Sequence, residues 1–195
     1  MCGTENIRHW IDRHLEGDPQ AFEQIYERTS LNVYRLVYFL LGREEEADDV
    51  VQDVYVQLFR NFHKYDRERP FEKWLNGIAV RQVGDYRRKR WKLTRLLMKA
   101  RRFEGPEGAG DFAGEVVDNV ANEQLLRQIQ TLPQKLRTVV VLHYWNECTH
   151  AEIADMLDVP VGTVKSRLHA GLAKLRQKQA FRNLSMAKEA KGEWI

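Results

Sequence analysis

The stretch of sequence that decides the fold covers residues 149–168 and reads THAEIADMLDVPVGTVKSRL. Thr149 can cap the start of a short helix, and Glu152, three residues later, completes a capping box. Ala154, on the inner face of that helix, is small where a second helix must cross closely. Residues 158–161 then form a turn, so the stretch predicts two short helices joined by a tight connection.

The second of these helices is polar and basic on the side that faces away from its neighbour. Val164 and Leu168 are its buried anchors. The side chains that this leaves pointing outward are Thr163, Lys165, Ser166, Arg167 and His169. A helix-turn-helix places such a helix in the major groove of DNA, where its first turns reach base edges. Lys174 would then follow a phosphate strand. The alternative is an ordinary helical hairpin with a charged outer face, and the combination of cap, turn and basic helix favours DNA binding.

The rest of the chain also repeats its apolar residues in steps of three and four, which is typical of helices. In the N-terminal half this predicts helices over residues 22–40 and 44–62, and a third from about residue 71 to residue 89. No stretch alternates convincingly with period two, so the predicted fold class is all-α. Four glycines and a proline within residues 104–114 predict a flexible linker between two small helical domains.

Composition excludes several other classes of protein. The chain has 195 residues, a formal net charge of +3 and a mean hydropathy of −0.57. Its longest apolar run, residues 36–41, is far shorter than the ~20 residues of a transmembrane helix. Two cysteines, Cys2 and Cys148, cannot build a disulfide framework. We therefore expect a soluble cytoplasmic protein that does not insert into a membrane.

The small net charge hides separate acidic and basic blocks. Residues 44–53 hold six acids and no base, whereas residues 87–102 hold nine Lys or Arg and no acid. A second basic block, residues 165–191, holds eight bases and one acid. Solvated helix faces could account for any one block. Together they indicate a basic partner for the acidic block and a polyanion such as nucleic acid for the basic blocks.

Three parts of the sequence, the last made of two segments, resemble the extracytoplasmic-function group of bacterial sigma factors, and the resemblance extends from about residue 17 to residue 177. Residues 17–26 (GDPQAFEQIY) resemble the opening of the sigma-two domain. Residues 47–59 (ADDVVQDVYVQLF) are similar to the helix that docks on RNA polymerase. Residues 132–137 (LPQKLR) and 160–168 (PVGTVKSRL) resemble the sigma-four domain.

The resemblance implies five parts of the chain. These are an N-terminal helix or extension (1–16), a sigma-two-like helical bundle (17–102), a flexible linker (103–119), a sigma-four-like helix-turn-helix domain (120–180) and a tail (181–195). The implied function is that of a sigma factor, which binds core RNA polymerase and directs promoter-specific transcription initiation. The polymerase does the chemistry, so the chain is expected to be neither an enzyme nor a cofactor-binding protein.

The resemblance also assigns residues to the expected partners. The clamp coiled coil and the flap of core RNA polymerase are the implied protein partners. Polymerase binding is assigned to Asp48, Asp49, Gln52 and Asp53, beside an apolar seam of Val51, Tyr55 and Leu58. Reading of the melted minus-ten element is assigned to His63, Tyr65, Arg67, Trp74, Arg81, Asp85, Arg87 and Arg88. Reading of the duplex minus-thirty-five element is assigned to Thr163, Lys165, Ser166, Arg167, His169 and Lys174.

Two departures from the family pattern concern the minus-ten helix. Residues 78–81 read IAVR where the family usually has IARN, and Gly84 replaces an aliphatic residue. Members of the group are commonly held inactive by an anti-sigma factor, so such a partner is expected, and the free chain is expected to be a monomer.

Other functions are weighed against this interpretation. A free-standing helix-turn-helix repressor is the main alternative, but it has no need for the acidic row over residues 48–53. A nucleic-acid-processing enzyme would need a metal or general-base cluster, which the sequence lacks. His143, Cys148 and His150 are close in sequence, yet no fourth ligand follows at usable spacing, so no metal site is predicted.

Overall fold

A computed structural model describes residues 4–100 and 120–176. Within these two ranges the regular structure is helical and no strand occurs, which confirms the predicted all-α fold class. The helices are α1 (Thr4–Leu15), α2 (Ala21–Leu41), α3 (Glu44–Asn61), α4 (Phe71–Ala100), α5 (Val120–Gln130), α6 (Gln134–Tyr144), α7 (His150–Leu157) and α8 (Val161–Arg176). A 3-10 turn, Phe62–Lys64, follows α3. The predicted linker and tail lie outside the described residues.

The described residues divide into two compact units. One is formed by α1 to α4 apart from Phe39–Gly42, and the other by α5 to α8 together with Phe39–Gly42. The domain bounds given by the sequence stay a prediction. In the described part of the chain, no helix combines the length and the apolar character that crossing a membrane requires.

The first unit is built on apolar stripes of α2, α3 and α4. Gly42, with φ of +82°, adopts a left-handed conformation that suits glycine and lets the chain leave α2. Three glutamates occupy the first turn of α3, where carboxylates meet the positive end of the helix dipole. The core side chains from these helices include Ile25, Val33, Leu36, Val50, Val54, Leu58, Leu75, Ile78 and Val83. Full burial of each such side chain contributes about 1.5–3 kcal/mol, so these stripes hold α3 against its neighbours.

Helix α4 is longer than the sequence predicts, since it continues to Ala100 rather than ending near residue 89. The apolar stripe stops at the expected place, because Leu93, Leu96 and Leu97 are exposed. The helix itself continues because residues 89–100 contain no Gly or Pro and are rich in good helix formers. The buried apolar pattern therefore ends before the helix does, and its end does not mark the end of α4.

The second unit contains the predicted helix-turn-helix as α7 and α8. Thr149 Oγ1 accepts a hydrogen bond from Glu152 N (3.2 Å), and Thr149 N donates to the Glu152 carboxylate (2.6 Å), which confirms the capping box. Asp158 ends α7 with φ of 52°. Gly171 allows α8 to cross α6 closely, because a Cβ at this position would lie 2.8 Å from Val140 Cγ2.

Candidate functional site

The exposed side of α3 carries the residues predicted to bind polymerase. Asp48, Asp49, Gln52 and Asp53 are all exposed. Residues at i, i+1, i+4 and i+5 share one side of a helix, so the structure brings these four together as one row. We call this set the acidic row.

The apolar seam predicted beside the acidic row is not available to a partner, so this part of the prediction is wrong. Val51, Tyr55 and Leu58 are buried within the first unit. The Tyr55 hydroxyl also shares a hydrogen bond with Thr29 Oγ1 of α2 (2.8 Å), and burial raises the pKa of Tyr55. Helix α3 is apolar on more than one side, and packing against α2 and α4 decides which side is enclosed.

Two apolar side chains that the sequence prediction does not include lie on the exposed side of α3. Val56 is 45% exposed and Phe59 is 60% exposed. Val56 follows Gln52 by four residues and Phe59 follows Val56 by three, so both extend the acidic row along the helix. This spacing is the signal that could have revealed them. An acidic row that continues as an apolar patch suits a partner helix with basic and apolar side chains.

The carboxylates give this end of α3 a negative field that neighbouring groups report. Burial raises the pKa of Tyr34 to about 12, with the Glu44 and Asp48 charges adding to the effect. Burial and then Asp49 raise the pKa of Tyr86. The carboxylates of α3 thus make this surface negative, which would attract a cationic partner.

Glu46 belongs to a different set of contacts. Its carboxylate pairs with Arg43 (3.4 Å) and with Arg90 of α4. The pair with Arg90 ties the beginning of α3 to the basic part of α4. Glu46 thus has a structural role that separates it from the acidic row.

An aromatic pair links the segment before α4, residues 62–70, to the first turn of that helix. The rings of Tyr65 and Trp74, both predicted to read the minus-ten element, lie 5.0 Å apart. The Tyr65 hydroxyl donates to Arg69 O (2.6 Å), and its pKa is raised chiefly by burial. His63 and Arg67 are exposed on either side of Tyr65. The structure therefore places these four predicted residues in one region.

Four of the predicted minus-ten residues form a stripe along one side of α4. These residues are Trp74, Arg81, Asp85 and Arg88, and the spacings between them are seven, four and three residues. Arg81 Nε donates to Gly77 O (3.0 Å), and Arg88 pairs with Asp85. Arg87 lies outside this stripe, and burial lowers the pKa of its guanidinium. Seven of the eight residues thus fall on the segment before α4 or on this stripe, and Arg87 does not.

The six residues predicted to read the minus-thirty-five element lie in two rows on α8. Spacings of three, one and seven residues put four of them in one row, which we call the outer row and which consists of Thr163, Ser166, Arg167 and Lys174. Ser166 and Lys174 are exposed, and Thr163 and Arg167 are half-buried. Lys165 and His169, four residues apart, form a second row, and both are exposed. Ser166 Oγ donates to Thr163 O (3.0 Å), so this hydroxyl is already engaged by its own helix. Arg167 is consequently the outer-row residue of the first two turns with the greatest reach and number of donors.

The histidines and the cysteine near α7 form a structural cluster. His143 Nδ1 is hydrogen-bonded to Cys148 O (2.9 Å), and the His143 and His150 rings stack with centroids 5.0 Å apart. Cys148 is buried. Across residues 4–100 and 120–176, no group of three or more His, Cys, Asp or Glu side chains is arranged to hold a metal ion.

Comparison with known proteins identifies the family. The model of Sigma-70 region 2 matches residues 25–93, and that of Sigma-70, region 4 matches residues 122–175. The ECF RNA polymerase sigma factor SigW of Bacillus subtilis is 34% identical over 181 residues, which cover 88% of this chain and 95% of SigW. The chain belongs to the ECF group of RNA polymerase sigma factors. The predicted resemblance is thereby confirmed, and the first of the two matches includes α3 and most of α4.

Other relatives of this sigma factor agree with that assignment. The ECF RNA polymerase sigma-E factor of Escherichia coli K12 is 28% identical over 176 residues, or 81% of this chain and 86% of the relative. Two solved structures share the fold. Sigma factor RpoE of Bartonella quintana, in complex with the anti-sigma factor NepR, has a TM-score of 0.64 at 16% identity and covers 81% of this chain and 96% of RpoE. CnrH, in complex with the cytosolic domain of CnrY, has a TM-score of 0.59 at 23% identity and covers 94% of this chain and 97% of CnrH.

Membership of the family fixes the broad function. The chain is a transcription initiation factor with a helix-turn-helix domain for DNA, as the sequence predicts.

Proposed function

We propose that this sigma factor binds core RNA polymerase through the exposed side of α3. The acidic row supplies the charge that attracts a basic helix of the clamp coiled coil. Val56 and Phe59 supply the exposed apolar surface that the buried seam cannot supply. Charged groups raise the rate and selectivity of association, while apolar contacts contribute most of the area-dependent affinity.

DNA is assigned to two other surfaces. The stripe on α4 and the segment around Tyr65 contact the melted minus-ten strand, where aromatic rings stack on bases and guanidiniums contact phosphates. The outer row of α8 enters the major groove of the minus-thirty-five element, with Arg167 placed for base contacts and Lys174 for a phosphate. In this assignment α4 and the segment around Tyr65 bind single-stranded DNA, and α8 binds duplex DNA.

An anti-sigma factor is the proposed regulator. One of the structural relatives named above is a sigma factor in complex with the anti-sigma factor NepR, and the other, CnrH, is in complex with the cytosolic domain of CnrY. A partner that covers α3 or α8 would prevent contact with polymerase or with duplex DNA. We expect the free factor to be a cytoplasmic monomer without enzymatic activity.

The contrast between the acidic exposed side of α3 and the basic outer side of α8 carries the proposal. A factor that has to bind both a protein helix and DNA needs two such surfaces of opposite charge. A free-standing repressor needs only the second, together with a surface for dimerisation.

Reconstituted transcription tests the proposal. Genomic DNA of the source organism is transcribed by its core RNA polymerase with and without the purified chain, and transcript 5′ ends are sequenced. We expect new starts that share one pair of upstream motifs, and none of these starts without the chain. A dimer that binds duplex DNA at nanomolar concentration and does not stimulate core polymerase would instead establish a repressor.

A further inference from the structure

The end of α1 lies against the segment that precedes α4. The His14 ring contacts the Phe62 ring, with centroids 4.4 Å apart. Asp12 Oδ1 of α1 lies 3.3 Å from Arg67 Nη1, in the middle of the segment. The charges of Arg8 and Asp12 also act on the pKa of Tyr65. Charged groups of α1 therefore interact with Tyr65 and Arg67, two residues predicted to read the minus-ten strand.

The segment itself is folded by contacts that leave Arg67 directed toward α1. Asp66 Oδ1 accepts from Glu68 N (3.0 Å), and Asp66 O accepts from Arg69 N (3.0 Å), which closes a local turn. Tyr65 is fixed by its hydrogen bond to Arg69 O. Arg67 lies at the outside of this turn, and its ion pair with Asp12 connects the turn to α1.

The ion pair is exposed enough to be exchanged. The Arg67 side chain is 60% exposed and that of Asp12 is 51% exposed. Pairs in this setting contribute little to stability and are screened by salt. A guanidinium binds carboxylate and phosphate oxygens with the same donor geometry. A DNA phosphate can therefore replace the Asp12 carboxylate without a change in the fold.

We infer that Asp12 is a positioning residue. Its carboxylate serves as the counter-ion of Arg67 until a phosphate of the melted strand displaces that carboxylate. Because a phosphate has to displace the carboxylate, Asp12 lowers the affinity of Arg67 for single-stranded DNA. This inference rests on the proposed function, because it takes Arg67 to be a ligand of the minus-ten strand. The ligand it concerns is a DNA phosphate.

A double-mutant cycle tests the inference on the holoenzyme. A fluorescein-labelled single strand carrying the minus-ten region of a mapped promoter is titrated with holoenzyme containing wild type, Asp12→Asn, Arg67→Gln or the double variant. We expect Asp12→Asn to tighten binding about three-fold at low salt, in line with the strength of an exposed ion pair, and the gain to shrink as salt rises. In the Arg67→Gln background, Asp12→Asn should have no further effect.

Glu16→Gln is the matched control, because it removes one exposed negative charge just after α1. A gain from Asp12→Asn no larger than that from Glu16→Gln, or a gain that persists without Arg67, overturns the inference while the proposed function stands. If Arg67→Gln alone leaves binding unchanged, the assignment of Arg67 to the minus-ten strand fails, and the inference fails with it. Thermal melting of each variant verifies that the fold is retained.

Discussion

Helices α3 and α8 have the same amphipathic construction but expose opposite chemistry. Each buries an apolar stripe, which includes Val54 in α3 and Val164 in α8. The exposed side of α3 combines carboxylates with the apolar Val56 and Phe59. Along α8, which the structure describes in full, Val161 at the first position is the one exposed large apolar residue.

This difference separates a surface for protein from a surface for nucleic acid. A protein helix offers apolar side chains that can be buried, so a docking surface gains from exposed apolar groups. Duplex DNA offers phosphates and base edges, so its reader gains from cations and hydrogen-bond donors. The buried halves determine the fold, and the exposed halves determine the partners.

Reversal of charge in the acidic row is expected to have the largest effect. Asp49→Lys/Asp53→Lys places cations against a basic partner, and binding to core polymerase should fall by at least about 100-fold because like charges at an interface cost several kcal/mol. Co-purification and fluorescence anisotropy with labelled chain measure the loss. Both positions are exposed, so circular dichroism should show an unchanged fold.

The control for this reversal is Glu23→Lys/Glu27→Lys, an equal change of charge at exposed positions of α2. It should bind core polymerase within about two-fold of wild type, the size of a rim-charge effect. If the α3 double variant binds core polymerase normally, α3 is not the docking surface. The contrast between a protein-binding α3 and a DNA-binding α8 then fails.

Two substitutions on α8 sharpen the other side of the comparison. Arg167→Ala should cost about 1–3 kcal/mol at one base pair of the minus-thirty-five element and relax specificity there. Lys174→Ala should weaken binding on all sequences alike and reduce the salt slope by about one. Holoenzyme affinities on a promoter series, each at several salt concentrations, separate the two effects. The same response of both variants to every base change would contradict the placement of α8 in the major groove.

The helices and the helix-turn-helix were predictable because their signals are local. The capping box needs only Thr149 and Glu152, three residues apart, and the structure contains both of its hydrogen bonds. The positions of the acidic row also follow from spacing within one helix. Local sequence therefore determined most element starts and the grouping of the acidic row on one side of α3.

The remaining features depend on contacts between distant parts of the chain. Whether the Val51–Tyr55–Leu58 side of α3 is enclosed depends on α2 and α4, and Tyr55 is held by Thr29, 26 residues earlier. The ion pair between Asp12 and Arg67 likewise joins two elements with no pattern in common. Such pairings arise from packing, and a single sequence carries no periodic signal for them.

Removal of the α7 cap tests whether the helix-turn-helix is stabilised independently of α3. Thr149→Ala removes the acceptor of the Glu152 amide, and loss of such a cap costs about 1 kcal/mol. Hydrogen exchange should therefore speed up in α7 and α8, while the amides of α3 keep their protection. Thr149→Ser, which retains the hydroxyl, should restore the wild-type rates. An equal increase of exchange in α3 would show that the two parts unfold together.

The smallest expected effect concerns pH and the attachment of α1 to the first unit. His14 lies among the rings of Phe22, Phe59 and Phe62, and burial lowers its pKa below the ordinary 6.5. The unfolded form of α1 therefore binds a proton more readily than the folded form. The stabilisation from neutral His14 is complete above pH 6.5 and is lost as pH falls through the lowered pKa of the folded state.

Hydrogen exchange of α1, corrected for the intrinsic effect of pH, measures this loss between about pH 8 and about pH 5. Protection of α1 should decrease toward acid pH in the wild type. His14→Phe keeps an aromatic ring against Phe62 but cannot take up a proton, so its α1 should stay protected throughout that range. His9→Phe, at an exposed position of the same helix, should retain the wild-type dependence on pH. If His14→Phe loses protection at acid pH as the wild type does, a group other than His14 controls the attachment of α1, and the aromatic contact is structural only.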